Sequence, residues 1–112
     1  MVWKEIVLPA PPEEVWNALT RSEELSAWFE AEVDIDPRPR GIVTARASDG
    51  TIREGTVIAA NAPFRLVIVW RDADRSRLEF TLEPVAEGTR LTVIETALPT
   101  SASETFLLEA AP

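Results

Sequence analysis

The side chains that could carry out chemistry in this chain of 112 residues are mainly carboxylates, because histidine and cysteine are both absent. Without them the chain has no Ser-His-Asp triad, no imidazole base, no thiol nucleophile and no zinc–thiolate site. Asp34 and Asp36 offer too few converging oxygens for a divalent cation and are expected in a solvated loop. We therefore expect no metal ion and no cofactor.

Glu54 and Glu95 are the better candidates for acid–base chemistry. The alternation of its strand places Glu95 on an apolar face, where a carboxylate could exchange protons with a bound molecule. Two alternatives stay open: Arg46 or Arg53 pairs with Glu95, or Glu95 lies at an open rim. The sequence thus leaves open whether the protein is an enzyme, although it favours binding over catalysis.

Composition and length narrow the class of protein. The chain is 46% hydrophobic with a formal net charge of -8, which is typical of one globular domain. Nucleic acid and anionic membranes are disfavoured as partners, since both are bound largely through Lys and Arg. No apolar run is as long as a membrane span, and Glu5 interrupts the first apolar stretch, so no signal peptide is visible. We expect a cytoplasmic protein in which residues 1–98 form one domain and residues 99–112 a short tail.

The first elements predicted are a strand and two short helices. Alternating β-formers predict a strand over Trp3–Leu8, which a group of prolines ends. An apolar stripe at helical spacing predicts a helix over Pro12–Leu19, with proline in its first turn. Ser22 is a suitable N-cap for a second short helix over Glu23–Ala27.

The rest of the domain is predicted to be an antiparallel sheet. The hydrophobic period changes to two, and short turns rich in Asp, Asn, Gly and Pro separate most of the segments, so neighbouring strands should be antiparallel. The predicted strands are Glu30–Ile35, Ile42–Ala47, Thr51–Ala59, Phe64–Arg71, Arg77–Glu83 and Arg90–Ala97.

The last two strands predict their own register. One alignment places apolar pairs on one face and an ion pair on the other, which supports a hairpin. The same alignment puts the carboxylate of Glu95 on the apolar face. It pairs Leu82 with Leu91, Phe80 with Val93, Leu78 with Glu95, and Glu83 with Arg90.

The apolar face of this sheet needs a cover. Eight buried side chains would contribute on the order of 12–24 kcal/mol, as much as the net stability of a typical domain. The two helices can cover one end, but the tail Ser101–Ala111, with Phe106 and Leu107, is too short to span the sheet. We therefore expect a homodimer contact or an internal ligand to cover the rest. The eight side chains are Leu66, Ile68, Trp70, Leu78, Phe80, Leu82, Leu91 and Val93.

The order of these segments resembles the START-like, birch-pollen-allergen-like helix-grip superfamily. Within it, the chain is similar to the family named after the activator of the heat-shock protein 90 ATPase. Two departures are the Arg40-Gly41 pair, where the family usually has Gly-Gly, and the lack of a Gly-Trp pair leading into a long last helix. The segments that carry the resemblance are residues 9–20, the pair 28–29, and residues 36–41, 49–50, 54–57, 63–70, 83–84 and 88–92.

The resemblance implies an α+β helix-grip fold: a curved antiparallel sheet of about seven strands, two short N-terminal helices and a shortened or absent C-terminal helix. Members of the superfamily bind hydrophobic small molecules, so the first hypothesis is a domain that binds a small apolar ligand. Trp28 and Trp70 could stack on a flat ligand, or serve only as core residues. The expected ligand-binding residues are Trp28, Ile68, Trp70, Leu78, Phe80, Leu82, Val93 and Glu95.

Two other functions stay open. The chain could be a protein-interaction or co-chaperone-like module that docks through the open sheet face, on itself as a homodimer or on another protein. It could also be a cyclase- or hydrolase-like enzyme in which Glu95 acts as acid or base. The identity of the ligand cannot be derived from the sequence, because apolar pockets specify size and shape more than identity.

Overall fold

A computed structural model of the chain describes residues 1–23, 26, 31–71 and 75–98. Seven strands in this part form one antiparallel sheet, in the order β1-β7-β6-β5-β4-β3-β2. The first helix follows the first strand, and the other six strands follow the helix. The elements are β1 (Val2–Leu8), α1 (Pro12–Thr20), β2 (Glu32–Ile35), β3 (Ile42–Arg46), β4 (Ile52–Asn61), β5 (Arg65–Trp70), β6 (Ser76–Val85) and β7 (Gly88–Ala97).

The predicted seven-stranded sheet is confirmed, and each predicted strand overlaps an observed one. The hairpin register is confirmed pair by pair: Leu82 lies opposite Leu91, and Leu78 lies opposite Glu95. The second helix predicted over 23–27 falls largely outside the described residues. Trp28 and the tail 99–112 lie outside them as well.

Helix α1 forms where the sequence predicts it and packs against β6 and β7. Proline occupies its first turn, and Glu13 and Glu14 lie there too, where the positive end of the helix dipole favours acids. Val15 and Leu19 are buried in the core. The hydroxyl of Thr89, at the start of β7, donates to the carbonyl of Ala10 at 2.7 Å and fixes the approach to the helix.

The side of the sheet that faces α1 is the concave face, and the opposite side is the convex face. At the helix end, α1 packs over a core that includes Leu66, Leu82 and Leu91. Of the eight apolar side chains assigned to the concave face, all but Val93 are buried within this one chain. The expectation that a helix covers one end of this face is met by α1, and cover of the rest by a homodimer or a ligand stays a prediction.

Two irregular features of the backbone cannot be predicted from the hydrophobic period. A β-bulge shifts the pairing of β4 with β5 between Val57 and Ala59. In the loop before β3, Arg40 has a φ of 72°, in the left-handed region that favours glycine. A Cβ on Gly41 would overlap the carbonyl oxygen of Asp36, so glycine is required there.

The outer edge of β2 is closed by two serines. The hydroxyl of Ser26 accepts from the Val33 amide at 2.8 Å and donates to the Ser22 carbonyl at 2.7 Å. The hydroxyl of Ser22 accepts from the Ile35 amide at 3.2 Å. The outward backbone donors of this edge strand are thereby satisfied.

The other edge strand, β1, is exposed on both faces. Val2 and Ile6 point to the concave side and Trp3 and Val7 to the convex side, and each is about half exposed. β1 is therefore the main apolar surface that the described residues leave uncovered at an edge of the sheet.

Candidate functional site

A cavity of ≈ 430 Å³ occupies the concave face at the end away from α1. It lies where β7 ends and β1 and β6 begin, beside the turn that joins β3 to β4. Its walls are mainly apolar, with charged side chains at three positions. The residues that line it are Val2, Lys4, Ala31, Ala45, Ala47, Thr51, Arg53, Trp70, Leu78, Phe80, Val93 and Glu95.

Trp70 forms one wall and is held from two directions. The guanidinium carbon of Arg53 lies 4.7 Å from the ring centroid, a cation–π contact. On the neighbouring strand, a Cβ on Gly55 would come within 2.9 Å of the Trp70 ring, so the absence of a side chain makes room for it. The indole is 2% exposed and thus forms a fixed wall of the cavity.

Glu95 is the one carboxylate among the described residues that line the cavity. It lies between Val2 of β1 and Leu78 of β6, on the same face as Val93. Its Oε2 accepts a hydrogen bond of 2.8 Å from the hydroxyl of Ser76, which is 6% exposed. The carboxylate is therefore anchored through one oxygen on an otherwise apolar wall.

Lys4 is the only lysine of the chain, and it lies on the same side of the cavity as Glu95. Lys4 pairs with Val93 and is thus a diagonal neighbour of Glu95 across the β1–β7 ladder. No carboxylate in the described part of the chain is within ion-pair distance of its ammonium group. This side of the cavity therefore presents a carboxylate and an ammonium group that do not form an ion pair with each other.

Five of the eight residues predicted to bind a ligand line the cavity: Trp70, Leu78, Phe80, Val93 and Glu95. Ile68 and Leu82 do not, because they are packed in the core, 0% and 3% exposed. The hollow begins only beyond this packed core, where the side chains are smaller. Trp28 lies outside the described residues, so its place in the site stays a prediction.

The partner of Glu95 is Ser76, which the sequence did not single out. Neither arginine considered for it is its partner: Arg53 stacks on Trp70, and Arg46 pairs with Ile52 on the convex face. Glu54 also lies on the convex side, opposite Thr44, away from the cavity. Glu54 is therefore not part of this cavity.

Some residues that line the cavity were not predicted, although the alternation of the sequence places them on the concave face. Ala45 and Ala47 alternate on one face of β3 and its extension, and small side chains on a concave face leave a hollow. Lys4 shares the alternation of Ile6 and Leu8, which places it on the inner face. Arg53 alternates with Gly55 and Val57 in the same way.

Chemistry outside the cavity is limited. The guanidinium of Arg38, hydrogen-bonded to Asp36 at 2.9 Å, holds the pKa of that exposed carboxyl below its usual range. Across residues 1–23, 26, 31–71 and 75–98, no group of three acidic side chains could hold a metal ion. No helix found in those ranges is long and apolar enough to cross a bilayer.

One family of proteins matches the sequence directly. The family described as Activator of Hsp90 ATPase homolog 1-like protein matches residues 9–110, which is most of the chain. None of the curated proteins gives a significant match.

Solved structures with the same fold cover nearly the whole chain. Protein MLL2253 from Mesorhizobium loti is 25% identical with a TM-score of 0.80, over 94% of this chain and 82% of its own. Protein BH1534 from Bacillus halodurans is 26% identical with a TM-score of 0.75, over 88% and 69%. DynU16, a protein from the dynemicin biosynthetic locus, is 26% identical with a TM-score of 0.77, over 97% of this chain and 41% of its own.

Proposed function

The chain belongs to the family of Activator of Hsp90 ATPase homolog 1-like proteins, with a START-like helix-grip fold, and on that premise we propose that it binds a small apolar molecule in the cavity of its concave face. The observation that carries the proposal is the division of this face into a filled end under α1 and a hollow end lined by Trp70, Leu78 and Phe80. Ligand sites are typically apolar hollows of about 300–1,000 Å³ with few polar groups.

The size of the hollow supports a ligand rather than a packing defect. Protein interiors are close-packed, and voids larger than a few waters are few in a domain of this size. A hollow of ≈ 430 Å³ lined by aromatic and aliphatic side chains leaves part of this apolar wall without contacts on the side of the hollow. An apolar molecule would supply the missing contacts and displace water from these walls.

The proposal is tested with Nile red, a neutral dye that fluoresces more strongly in apolar surroundings. We expect saturable binding of one dye per chain. Ala45→Leu should weaken it at least about tenfold, because the larger side chain fills part of the hollow. The matched control is Thr44→Leu, which adds a similar side chain one residue away on the convex face.

Native mass spectrometry of freshly purified protein complements the titration, because it detects a small molecule retained from the cell. Equal dye binding by Ala45→Leu, Thr44→Leu and the parent protein would mean that the dye is bound elsewhere. Absence of both dye binding and a retained molecule would overturn the proposal.

A catalytic role is the second candidate, because Glu95 places an anchored carboxylate inside an apolar cavity. Such a group can act as a general acid or base. DynU16, which shares the fold, comes from a biosynthetic locus, and this supports an enzymatic role for the present chain. In that case Glu95→Gln should abolish turnover of a retained molecule and leave Nile red binding intact. Unchanged turnover in Glu95→Gln would dismiss this role.

A further inference from the structure

Glu95 gives the cavity one strong hydrogen-bond acceptor. Its neighbours Val2, Leu78 and Val93 on the wall are apolar, and Lys4 is the other charged side chain on this side of the cavity. Ser76 donates to Oε2 and uses one of about four lone-pair positions of the group. In the described part of the chain, no second donor contacts Glu95, which leaves Oε1 as the acceptor available to a ligand.

Charged side chains of both signs line the cavity, so a charged ligand group of either sign would lie near at least one like charge. A cation that approached Glu95 would also approach the ammonium of Lys4, its diagonal neighbour, while Arg53 faces the hollow from the Trp70 side. An anion would be repelled by Glu95 at short range. Any ion would also lose its hydration against apolar walls, which costs more than the desolvation of a neutral group.

From this arrangement we infer that the ligand is a neutral apolar molecule that carries a hydroxyl or N–H donor, which it gives to Oε1 of Glu95. The inference rests on the proposed binding function and names the class of ligand that this site selects. The apolar body of the ligand lies against Trp70 and Phe80, whose flat rings suit an aromatic molecule. Glu95 is thus the specificity-determining residue, with Ser76 as the residue that positions it.

Four naphthalenes with the same ring body test the class: 2-naphthol as the neutral donor, 2-methoxynaphthalene without a donor, 2-naphthoate as the anion and 2-naphthylmethylammonium as the cation. Their dissociation constants are measured by calorimetry or by displacement of Nile red. Hydrogen bonds to charged acceptors are among the stronger ones, so we expect 2-naphthol to bind at least about tenfold more tightly than 2-methoxynaphthalene. Both charged compounds should bind more weakly than 2-naphthol.

Glu95→Gln keeps the shape of the side chain and removes its charge, so it should reduce the preference for 2-naphthol to below about threefold. Glu83→Gln is the matched control, because it makes the same change on the convex face of the same hairpin. A preference that survives Glu95→Gln would overturn the inference, as would tightest binding of 2-naphthoate or of 2-naphthylmethylammonium.

The test separates this inference from the function on which it rests. Equal binding of 2-naphthol and 2-methoxynaphthalene would overturn the donor assignment and leave apolar ligand binding intact. Failure of Nile red and of all four naphthalenes to bind would overturn both.

Discussion

Glu79, on the convex face, lies within ion-pair distance of two arginines. Arg65 Nε lies 2.7 Å from its Oε2, and Arg77 Nη1 lies 2.9 Å from its Oε1. The side chain is 19% exposed, so solvent screens these contacts only in part. The hydrogen bond from Arg65 is the largest cause that holds the pKa of Glu79 below its usual value, and Arg77 lowers this pKa further.

This lowered pKa makes the stability of the fold depend on pH. Between the folded and unfolded pKa values of Glu79, the unfolded chain binds the proton and the folded chain does not. The free energy of unfolding should therefore fall as the pH drops below about 4.5 and through the folded pKa, and Glu79→Gln should flatten that fall. At pH 7 we expect the substitution to cost about 0.5–1 kcal/mol. Urea unfolding at a series of pH values measures both effects.

The exposed pair formed by Glu83 and Arg90 provides the comparison, because Glu83 is more than half exposed. Glu83→Gln should leave the pH profile close to that of the parent. If Glu79→Gln and the parent lose stability in parallel as the pH falls, Glu79 is not the group responsible.

The face of the sheet on which a residue lies could be predicted wherever apolar and polar side chains alternate regularly along its strand. The register placed Glu95 on the concave face because its strand alternates without interruption, and the structure has it there. Its partner Ser76 was not predicted, because contacts between side chains depend on rotamers that alternation does not determine. The same limit explains Ile68, which was assigned to the right face but lies in the filled half of it.

Among the elements, β2 depends most on side chains that lie outside the sheet. It is a short edge strand, and its outward amides would be open to another strand without a cover. Ser26 accepts from the Val33 amide at 2.8 Å, a shorter bond than the 3.2 Å between Ser22 and the Ile35 amide. Ser26 is therefore the stronger of the two contacts that protect this edge.

Ser26→Ala should destabilise the fold by about 1–2 kcal/mol, because it leaves the Val33 amide without its acceptor. Hydrogen exchange of that amide should become faster, and the protein should aggregate at lower concentrations. Ser22→Ala is the control and should have a smaller effect, because its bonds are longer and more exposed. Equal protection of the Val33 amide in Ser26→Ala and the parent would show that the serine does not cap the edge.

Most elements could be predicted because their hydrophobic periods are long and their turns carry Gly, Pro, Asn and Asp. The predicted ends of the strands differ from the observed ends by a few residues. For example, β4 extends to Asn61, past the predicted end at Ala59, because a bulge lets the strand continue. The hollow was harder to predict than the sheet. It forms because small residues such as Ala45 and Ala47 line the same hollow as the large ring of Trp70. To predict it, one must know which strands face each other.

At the scale of the whole molecule, the homodimer stays a prediction, and the structure restricts where it could form. Antiparallel pairing of two β1 edges in a continuous sheet sets Glu5 opposite Glu5 in its longest register, which like charges disfavour. The edge of β2 is closed by its serines. A contact through the convex side of β1, where Trp3 and Val7 are about half exposed, avoids both obstacles.

We therefore expect self-association through this convex side of β1, which Trp3→Glu should abolish by placing a charge in the contact. Sedimentation velocity over a concentration series measures it against the monomer mass of 12.4 kDa. Ile52→Glu is the control, because it adds the same charge to an exposed position elsewhere on the convex face. A parent protein that sediments as a monomer at every concentration would contradict the expectation. The interaction with another protein through the open sheet face stays a prediction as well.

The pairing of β1 with β7, in which Val2 lies opposite Glu95, has a consequence for how the protein is made. A ribosome delivers β1 first and β7 last, whereas β2 to β7 can join their neighbours in turn as each hairpin emerges. The first strand has no neighbour in the sheet until β7 has been synthesised, and until then its tryptophan and valines are exposed to contact with other chains. The sheet can therefore be completed only after β7 has been synthesised, whereas the hairpins from β2 to β7 can form earlier.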